Sequence, residues 1–285
     1  MLSIIEKFRA IYNKKDIPEN LRFLALQSCY TANFLLHELN SIPYPENCND
    51  GTAVDVGTGL GIIPLILNLQ RKYRKYIGID VDNKGLTIAK RLFEENNFNP
   101  ICADVFALPL KNSISDILFA RYVLQHVSRV ELFLSELKKI MKTDSKIVII
   151  DVEDDMNVFY PELPPETKNV FESYEKFQKQ CGGDRNVSKK LPYFLFQTGF
   201  KNVEIKPFTS TFFVLKKDCR DYFKQTKDAF LALSAELELV KDKLFEHKFI
   251  SPSDFHRGLN NCLAYLNSSE SIFISRTEFL ITATK

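Results

Sequence analysis

The stretch AVDVGTGLGIIPL, Ala53 to Leu65, constrains this chain more than any other, because three glycines within five residues, Gly57, Gly59 and Gly61, divide one short apolar run from the next. A short run rich in β-branched residues reads as a strand, and the longer run at helical spacing as a helix. A glycine-rich turn between a strand and a helix lets the backbone approach a ligand closely. It also aims free amides at the ligand from the helix N-terminus. That combination marks a nucleotide-containing ligand at the carboxyl end of the first strand. Ile62 stands where a dinucleotide-binding G-x-G-x-x-G would place its third glycine, which weakens a pyrophosphate reading.

The rest of the first half follows this unit in kind. After the strand TAVDV come a helix from Leu60 to about Leu69, the strand KYIGID, a helix from Lys84 to Glu95, the strands NPICAD and SDILFA, a helix from Arg129 to Met141 and the strand SKIVIID. Strands alternating with helices imply crossover connections and a parallel sheet covered on both faces, so the fold class is α/β. A helix is expected ahead of the glycine turn, over Glu19 to Leu39, joined to it by the proline- and asparagine-rich loop from Asn40 to Gly51. Beyond Asp151 the rhythm changes. TKNVFESYEKFQKQCGG reads as a helix closed by Gly182 and Gly183, and KKLPYFLFQTG as a short helix leading into the strand KNVEIKPFTSTFFV. Two helices follow between Asp218 and Asn267; Phe230, Leu233, Leu237, Val240 and Leu244 form one buried stripe along the first. SIFISRTEFLITATK closes the chain as a strand expected in an edge hairpin with the strand before it.

Charge and cysteine usage exclude several classes. Lys and Arg number 38 against 36 Asp and Glu, so no overall field favours nucleic acid or an anionic membrane. The basic run QRKYRKY, at the end of a helix, reads as a solvated face. Six scattered cysteines, with no C-x-x-C pair and no histidine at ligand spacing, argue against a structural metal and read as reduced thiols of a cytoplasmic protein. MLSIIEKFRAIYNKK lacks a signal-peptide pattern, and no apolar run is long enough to cross a bilayer.

Three carboxylates sharpen the ligand. Asp55, two positions before Gly57, is poorly placed against a diphosphate and favours a ligand with a positive centre. Asp80, at the tip of the second strand, can take both hydroxyls of a ribose, with capping of the next helix as its rival role. Asp104 follows the third strand, where an adenine edge would lie beside that ribose, or where it serves only a turn.

The segments VDVGTGLG, GIDVD, ADVFALPL and DILFARYVLQHV stand in the order and spacing of the class I S-adenosylmethionine-dependent methyltransferases, and resemble most the branch acting on small molecules. The likeness is specific from about residue 50 to 152 and loosens through GGDRNVSKKLPYFLFQTGFKNVEI. It implies a Rossmann-like, mostly parallel sheet of seven strands with an antiparallel last strand. A helical lid would come from residues 1–48, and helical insertions at about 155–198 and 216–268 would interrupt a domain spanning 49–285. It implies S-adenosyl-L-methionine as cofactor, with Gly57, Thr58 and Gly59 against its methionine part and Asp55 near its ammonium. Asp80 would bind the ribose, Val81 would pack on the adenine, and Asp104 with Val105 would meet the adenine edge. Arg121, Gln125 and His126 would stand near the sulfonium and the acceptor, and Arg22 would reach the cofactor carboxylate or serve the surface.

Methyl transfer from a sulfonium is an in-line displacement in which the enzyme chiefly aligns the partners and excludes water. A base, where needed, would be His126, Asp151 or Glu153. Asp184 and Arg185 would orient a polar acceptor, or Asp184 would cap the next helix. FARYVLQHV lacks an N-P-P-Y motif and the chain has no Pro-Cys nucleophile, which disfavours methylation of a flipped base. Phe159, Tyr160, Phe171, Tyr174, Phe177, Tyr193 and Phe194 suit a pocket for a partly apolar small molecule or short peptide, although most of them are ordinary core candidates. The helices before the last strand would roof that pocket or form a dimer contact. The competing readings are a non-catalytic adenosyl-binding protein and a nicotinamide dehydrogenase.

Overall fold

The alternation read from the sequence becomes, in the computed structural model, a sheet clad on both faces; the structure describes residues 1–44, 50–70, 72–93 and 97–285. In chain order the elements are α1 (Leu2–Tyr12), α2 (Glu19–Asn40), β1 (Thr52–Val56), α3 (Ile62–Leu69), β2 (Lys75–Asp80), α4 (Asn83–Leu92), β3 (Phe98–Cys102), β4 (Ser115–Arg121), α5 (Val130–Ile140) and β5 (Met141–Val152). They continue with β6 (Val158–Tyr160), α6 (Pro165–Gln180), α7 (Leu191–Gln197), β7 (Lys201–Leu215), α8 (Tyr222–Glu246), α9 (Pro252–Ser268) and β8 (Ser271–Thr284). The middle of the expected linker with Cys48, Arg71 of the basic run, and the expected helix end at Glu95 lie outside the described residues.

Strands β1 to β5 are parallel, in the spatial order β3-β2-β1-β4-β5. β8 joins antiparallel to β5, from Lys146 opposite Thr284 to Val152 opposite Glu278. It also pairs with β7 and, through Ser275 to Phe273, with the three-residue β6. The last strand therefore pairs with its predecessor as expected, but it is not at an edge. Ile272, Ile274, Leu280, Ile281 and Ala283 are all buried along it, and so apolar a strand is stable only with neighbours on its sides and cover on its faces. Without β6 the sheet has the expected seven strands.

The chain divides into two compact units, Met1–Glu153 with Asn186–Phe208 and Glu278–Lys285, and Asp154–Arg185 with Thr209–Thr277. In the first, alternate residues of each strand serve opposite faces. Ala53, Ile117, Phe119, Val148, Ile150 and Leu280 join one core with residues of α1, α2 and α3. Val54, Val56, Leu118, Ala120, Ile147, Ile149 and Ile281 join another with α5 and α7. The N-terminal helices are thus built into the core: Phe8, Leu21, Ala25, Leu35 and Leu39 are fully buried.

The second unit packs α6, α8 and α9 around Val170, Tyr174, Phe177, Leu237, Leu244 and Phe255. α6 ends as its glycines lead one to expect, with Gly182 left-handed at φ +86° and the Gly183 amide donating to the Gln178 carbonyl at 2.9 Å. Most of the aromatic residues noted for a pocket are core here; Tyr160 and Tyr193 are exposed. Arg185 is buried within the second unit and ion-paired to Asp154 and Glu236, while Tyr174 Oη donates to Glu236 at 2.6 Å. The next helical turn starts at Ser188 with Val187 as its N-cap, so Asp184 does not cap it.

Candidate functional site

In an open sheet of this order, ligands bind outside the carboxyl ends of the strands at the point where the connections reverse direction, here beside β1 and β4. The glycine turn stands there. Gly57 has φ +69°, and a Cβ on it would meet Val123 Cγ2 at 2.3 Å, so both its conformation and the chain following β4 demand glycine. The turn does not present all its amides to solvent, as the sequence alone led one to expect. Gly57 N and Thr58 N donate to the Ile79 carbonyl at 2.8 and 3.0 Å, Gly59 N to Asp80 Oδ2 at 2.8 Å, and Gly61 N to the Thr58 carbonyl at 2.8 Å. These bonds bind the turn to the end of β2 and fix its shape.

Asp80 receives a second amide, from Asp82, at 2.9 Å. The capping role belongs to Asp82, whose Oδ1 accepts from Lys84 N and Gly85 N. Asp80 is therefore locked in orientation at the strand tip without serving α4. Beside it Val81 is 73% exposed, an apolar side chain facing solvent next to an anchored carboxylate. Asp104 is exposed and accepts from Phe106 N at 2.9 Å, capping the short turn that begins with Val105. The α2 helix reaches this region: Asn20 donates to Asp82 at 3.2 Å, and Leu24 lies 3.5 Å from where a Cβ on Gly59 would stand. Arg22 donates from Nε to the Tyr12 carbonyl at 3.0 Å and stacks over the Tyr12 ring, which ties α2 to α1.

Asp55 is buried beneath the turn and accepts from Thr58 Oγ1 at 2.7 Å. Burial pushes its carboxyl up to about 7, with Asp80 adding to the rise and the Thr58 hydroxyl and Arg121 opposing it.

The acid–base candidates separate clearly. Asp151 is fully buried and accepts backbone amides from Leu124 at 2.8 Å, Gln125 at 3.2 Å and Val152 at 3.0 Å. It holds the turn after β4, and Gln125 is buried in that turn. Glu153 is buried, paired with Lys189 Nζ at 2.7 Å and accepting its amide at 3.1 Å. His126 alone of the three is exposed.

A second constellation, of which the sequence pointed only to Arg121, lies at the carboxyl edge on the α1–α2 face. Arg121 continues the line of Ile117 and Phe119, Glu278 that of Leu280, and Glu38 comes from α2 beside Leu35 and Leu39. Arg121 donates to Tyr122 Oη at 2.7 Å, stacks on that ring and lies 4.0 Å from Glu278. Tyr122 itself takes the left-handed φ of +57°. The only further sequence signal was an acid one turn after Leu35, within a stripe of otherwise buried positions.

Among the described residues no cluster of His, Cys, Asp and Glu could hold a metal, and no helix is long and apolar enough to cross a membrane.

Comparison with known proteins agrees with this arrangement. The profile of the family described as "Methyltransferase domain" matches residues 54–149. An uncharacterized protein of Methanocaldococcus jannaschii is 22% identical over 199 residues, 67% of this chain and 80% of that one. The crystal structure of a putative methyltransferase from Bacillus halodurans superposes with a TM-score of 0.56 at 16% identity, covering 89% of this chain and 99% of the other. Phosphoethanolamine N-methyltransferase 2 of Haemonchus contortus, in complex with phosphomonomethylethanolamine and S-adenosylhomocysteine, superposes with a TM-score of 0.54 at 14% identity, covering 98% of this chain and 60% of that one. The family's profile thus runs from β1 into β5, the strands that build and flank the glycine turn, and over these residues the chain is similar to the methyltransferase domain family.

Proposed function

We propose that the first unit transfers a methyl group from S-adenosylmethionine to an oxygen or nitrogen of a small molecule or short peptide. The observation that carries the reading is Asp80: its carboxylate is fixed by Gly59 N and Asp82 N, released from capping by Asp82, and flanked by exposed Val81. An anchored acceptor beside an exposed apolar side chain fits a ribose and an adenine. When bound, the cofactor supplies an activated methyl on a sulfonium.

The chain's residues then have distinct tasks. Gly57, Thr58 and Gly59 give the methionine part a surface without side-chain obstruction, and Asp55 beneath them offsets its ammonium. Asp80 holds the ribose, Val81 packs on the adenine, and Asp104 with Val105 meets its edge. Arg121 and Gln125, at and after the end of β4, border the acceptor side, and Arg22 acts chiefly in holding α1 to α2. Of the three base candidates we retain His126, since Asp151 and Glu153 are committed to backbone amides and to Lys189. The N-methyltransferase likeness supports a small acceptor.

Two experiments test this reading. Titration with S-adenosylmethionine and with NAD should show binding of the first alone; NAD binding without it would overturn the assignment. Methyl-labelled S-adenosylmethionine incubated with a small-molecule extract of the source organism should yield a labelled product, identified by mass. Cofactor binding with no labelled product would favour a regulatory adenosyl-binding role.

A further inference from the structure

Glu38, Arg121 and Glu278 are all buried in the first unit, and their polar atoms are incompletely used. Glu38 is fully buried, and neither of its carboxylate oxygens has a hydrogen-bond partner among the described residues. The same holds for Glu278 Oε2 and Arg121 Nε. An unsatisfied buried polar atom costs about 1–3 kcal/mol, and charged ones more, so folds rarely leave four together without a use. The pair Arg121 and Glu278 neutralise each other, which leaves the Glu38 carboxyl as the excess acid. Burial and then Glu278 push that carboxyl up to about 9, against the pull of Arg121. A cation placed among these oxygens would oppose that rise, offsetting both the burial and the Glu278 charge.

The location narrows what the cation belongs to. Val56 pairs with Ala120, so Gly57 and Arg121 are the next residues on neighbouring strands. Neighbouring strands lie about 4.8 Å apart, which puts the cluster one strand from the glycine turn on the side away from Asp80. We infer that Glu38 and Glu278, with Arg121 orienting Glu278, form the acceptor subsite and receive a basic nitrogen, so that the methyl acceptor is an amine or carries one. This rests on the methyltransferase reading above and adds the chemical class of the acceptor. Glu38 and Glu278 act by binding and orientation; the sulfonium of the cofactor is the competing cation.

The test uses the whole protein loaded with S-adenosylhomocysteine, probed by calorimetry with benzylamine and with its neutral counterpart benzyl alcohol. Benzylamine should bind at least tenfold more tightly than the alcohol. Glu38→Gln and Glu278→Gln should each remove that preference while leaving S-adenosylhomocysteine affinity within about twofold, which also verifies that the variants are folded. Equal binding of amine and alcohol by the wild-type protein would overturn the inference, whatever the variants do. So would a loss, in either variant, of affinity for S-adenosylmethionine but not for S-adenosylhomocysteine with the amine preference retained, because the carboxylates would then serve the sulfonium. Failure of the wild-type protein to bind S-adenosylhomocysteine would instead refute the methyltransferase reading itself.

Discussion

The two ends of the first unit's carboxyl edge differ in how their polar groups are satisfied. At the β1–β2 end each noted amide and carboxylate has a partner: Gly57, Thr58, Gly59 and Gly61 donate within the turn or to β2, Asp55 takes the Thr58 hydroxyl, and Asp80 takes two amides. At the β4–β8 end Glu38, Arg121 and Glu278 keep unpartnered atoms in a buried setting. A surface shaped for one invariant ligand can be made rigid by its own backbone, which lowers the ordering cost of binding. A surface that discriminates among acceptors must reserve its polar groups for the ligand, because rejection comes from leaving them unpaired.

The largest effect is expected where the rigid end is deformed. Gly57→Ala combines a left-handed backbone, about 1–2 kcal/mol, with overpacking against Val123, about 1–3 kcal/mol. Calorimetry should find S-adenosylmethionine affinity lowered at least a hundredfold, together with a lower melting temperature. Retained affinity would mean that the turn's shape is not the binding determinant.

Asp80→Ala comes next. It removes the carboxylate proposed to hold the ribose and frees the amides of Gly59 and Asp82, so cofactor affinity should drop about ten- to a hundredfold, the equivalent of one or two charge-assisted hydrogen bonds. An unchanged dissociation constant would refute the ribose assignment.

A pH series of denaturant melts probes the other end. The Glu38 carboxyl, faced by Glu278 and Arg121, is raised to about 9 in the folded state against about 4.3 in an unfolded chain. Between those values the folded state holds a proton that the unfolded state has lost. Its contribution is therefore present at acid pH, declines as pH rises and levels off above about 9. Glu38→Gln should match wild type near pH 4 and become progressively more stable than it toward pH 9. Asp55, raised to about 7, acts with the same sign over the lower part of that range. A constant difference between Glu38→Gln and wild type across the series would show that Glu38 is already paired.

The smallest effect is expected at Arg22. Arg22→Ala should destabilise by about 1 kcal/mol, one hydrogen bond's worth, and change cofactor affinity less than about threefold. A larger loss of affinity would mean that its guanidinium reaches the cofactor carboxylate as well as Tyr12.

Much of the rigid end was legible in the sequence because its determinants are local. Gly57, Asp55 and Asp80 occur within one strand–turn–helix–strand unit, and their spacing alone places them at adjacent strand tips. The division of labour between Asp80 and Asp82 was not legible, since either spacing can cap a helix and only the amide directions decide it. Asp151 looked like a base because it ends a strand; it proved to be the anchor of the turn bearing Gln125. The helix α1 falls inside the helical segment expected over residues 1–48 but was not delimited, although Ile4, Phe8 and Ile11 keep helical spacing.

By itself the sequence determined the α/β alternation, the glycine turn and the carboxylates around it, because strand period, helix period and backbone freedom are short-range properties. Only the tertiary structure decided that the last strand lies inside the sheet. Only it brought Glu38 from α2, Arg121 from β4 and Glu278 from β8 to one buried place. Those residues are 83 and 157 positions apart along the chain, and no local pattern encodes which buried acid will face which buried arginine. That pairing follows from strand register and helix packing, which exist only once the chain has folded.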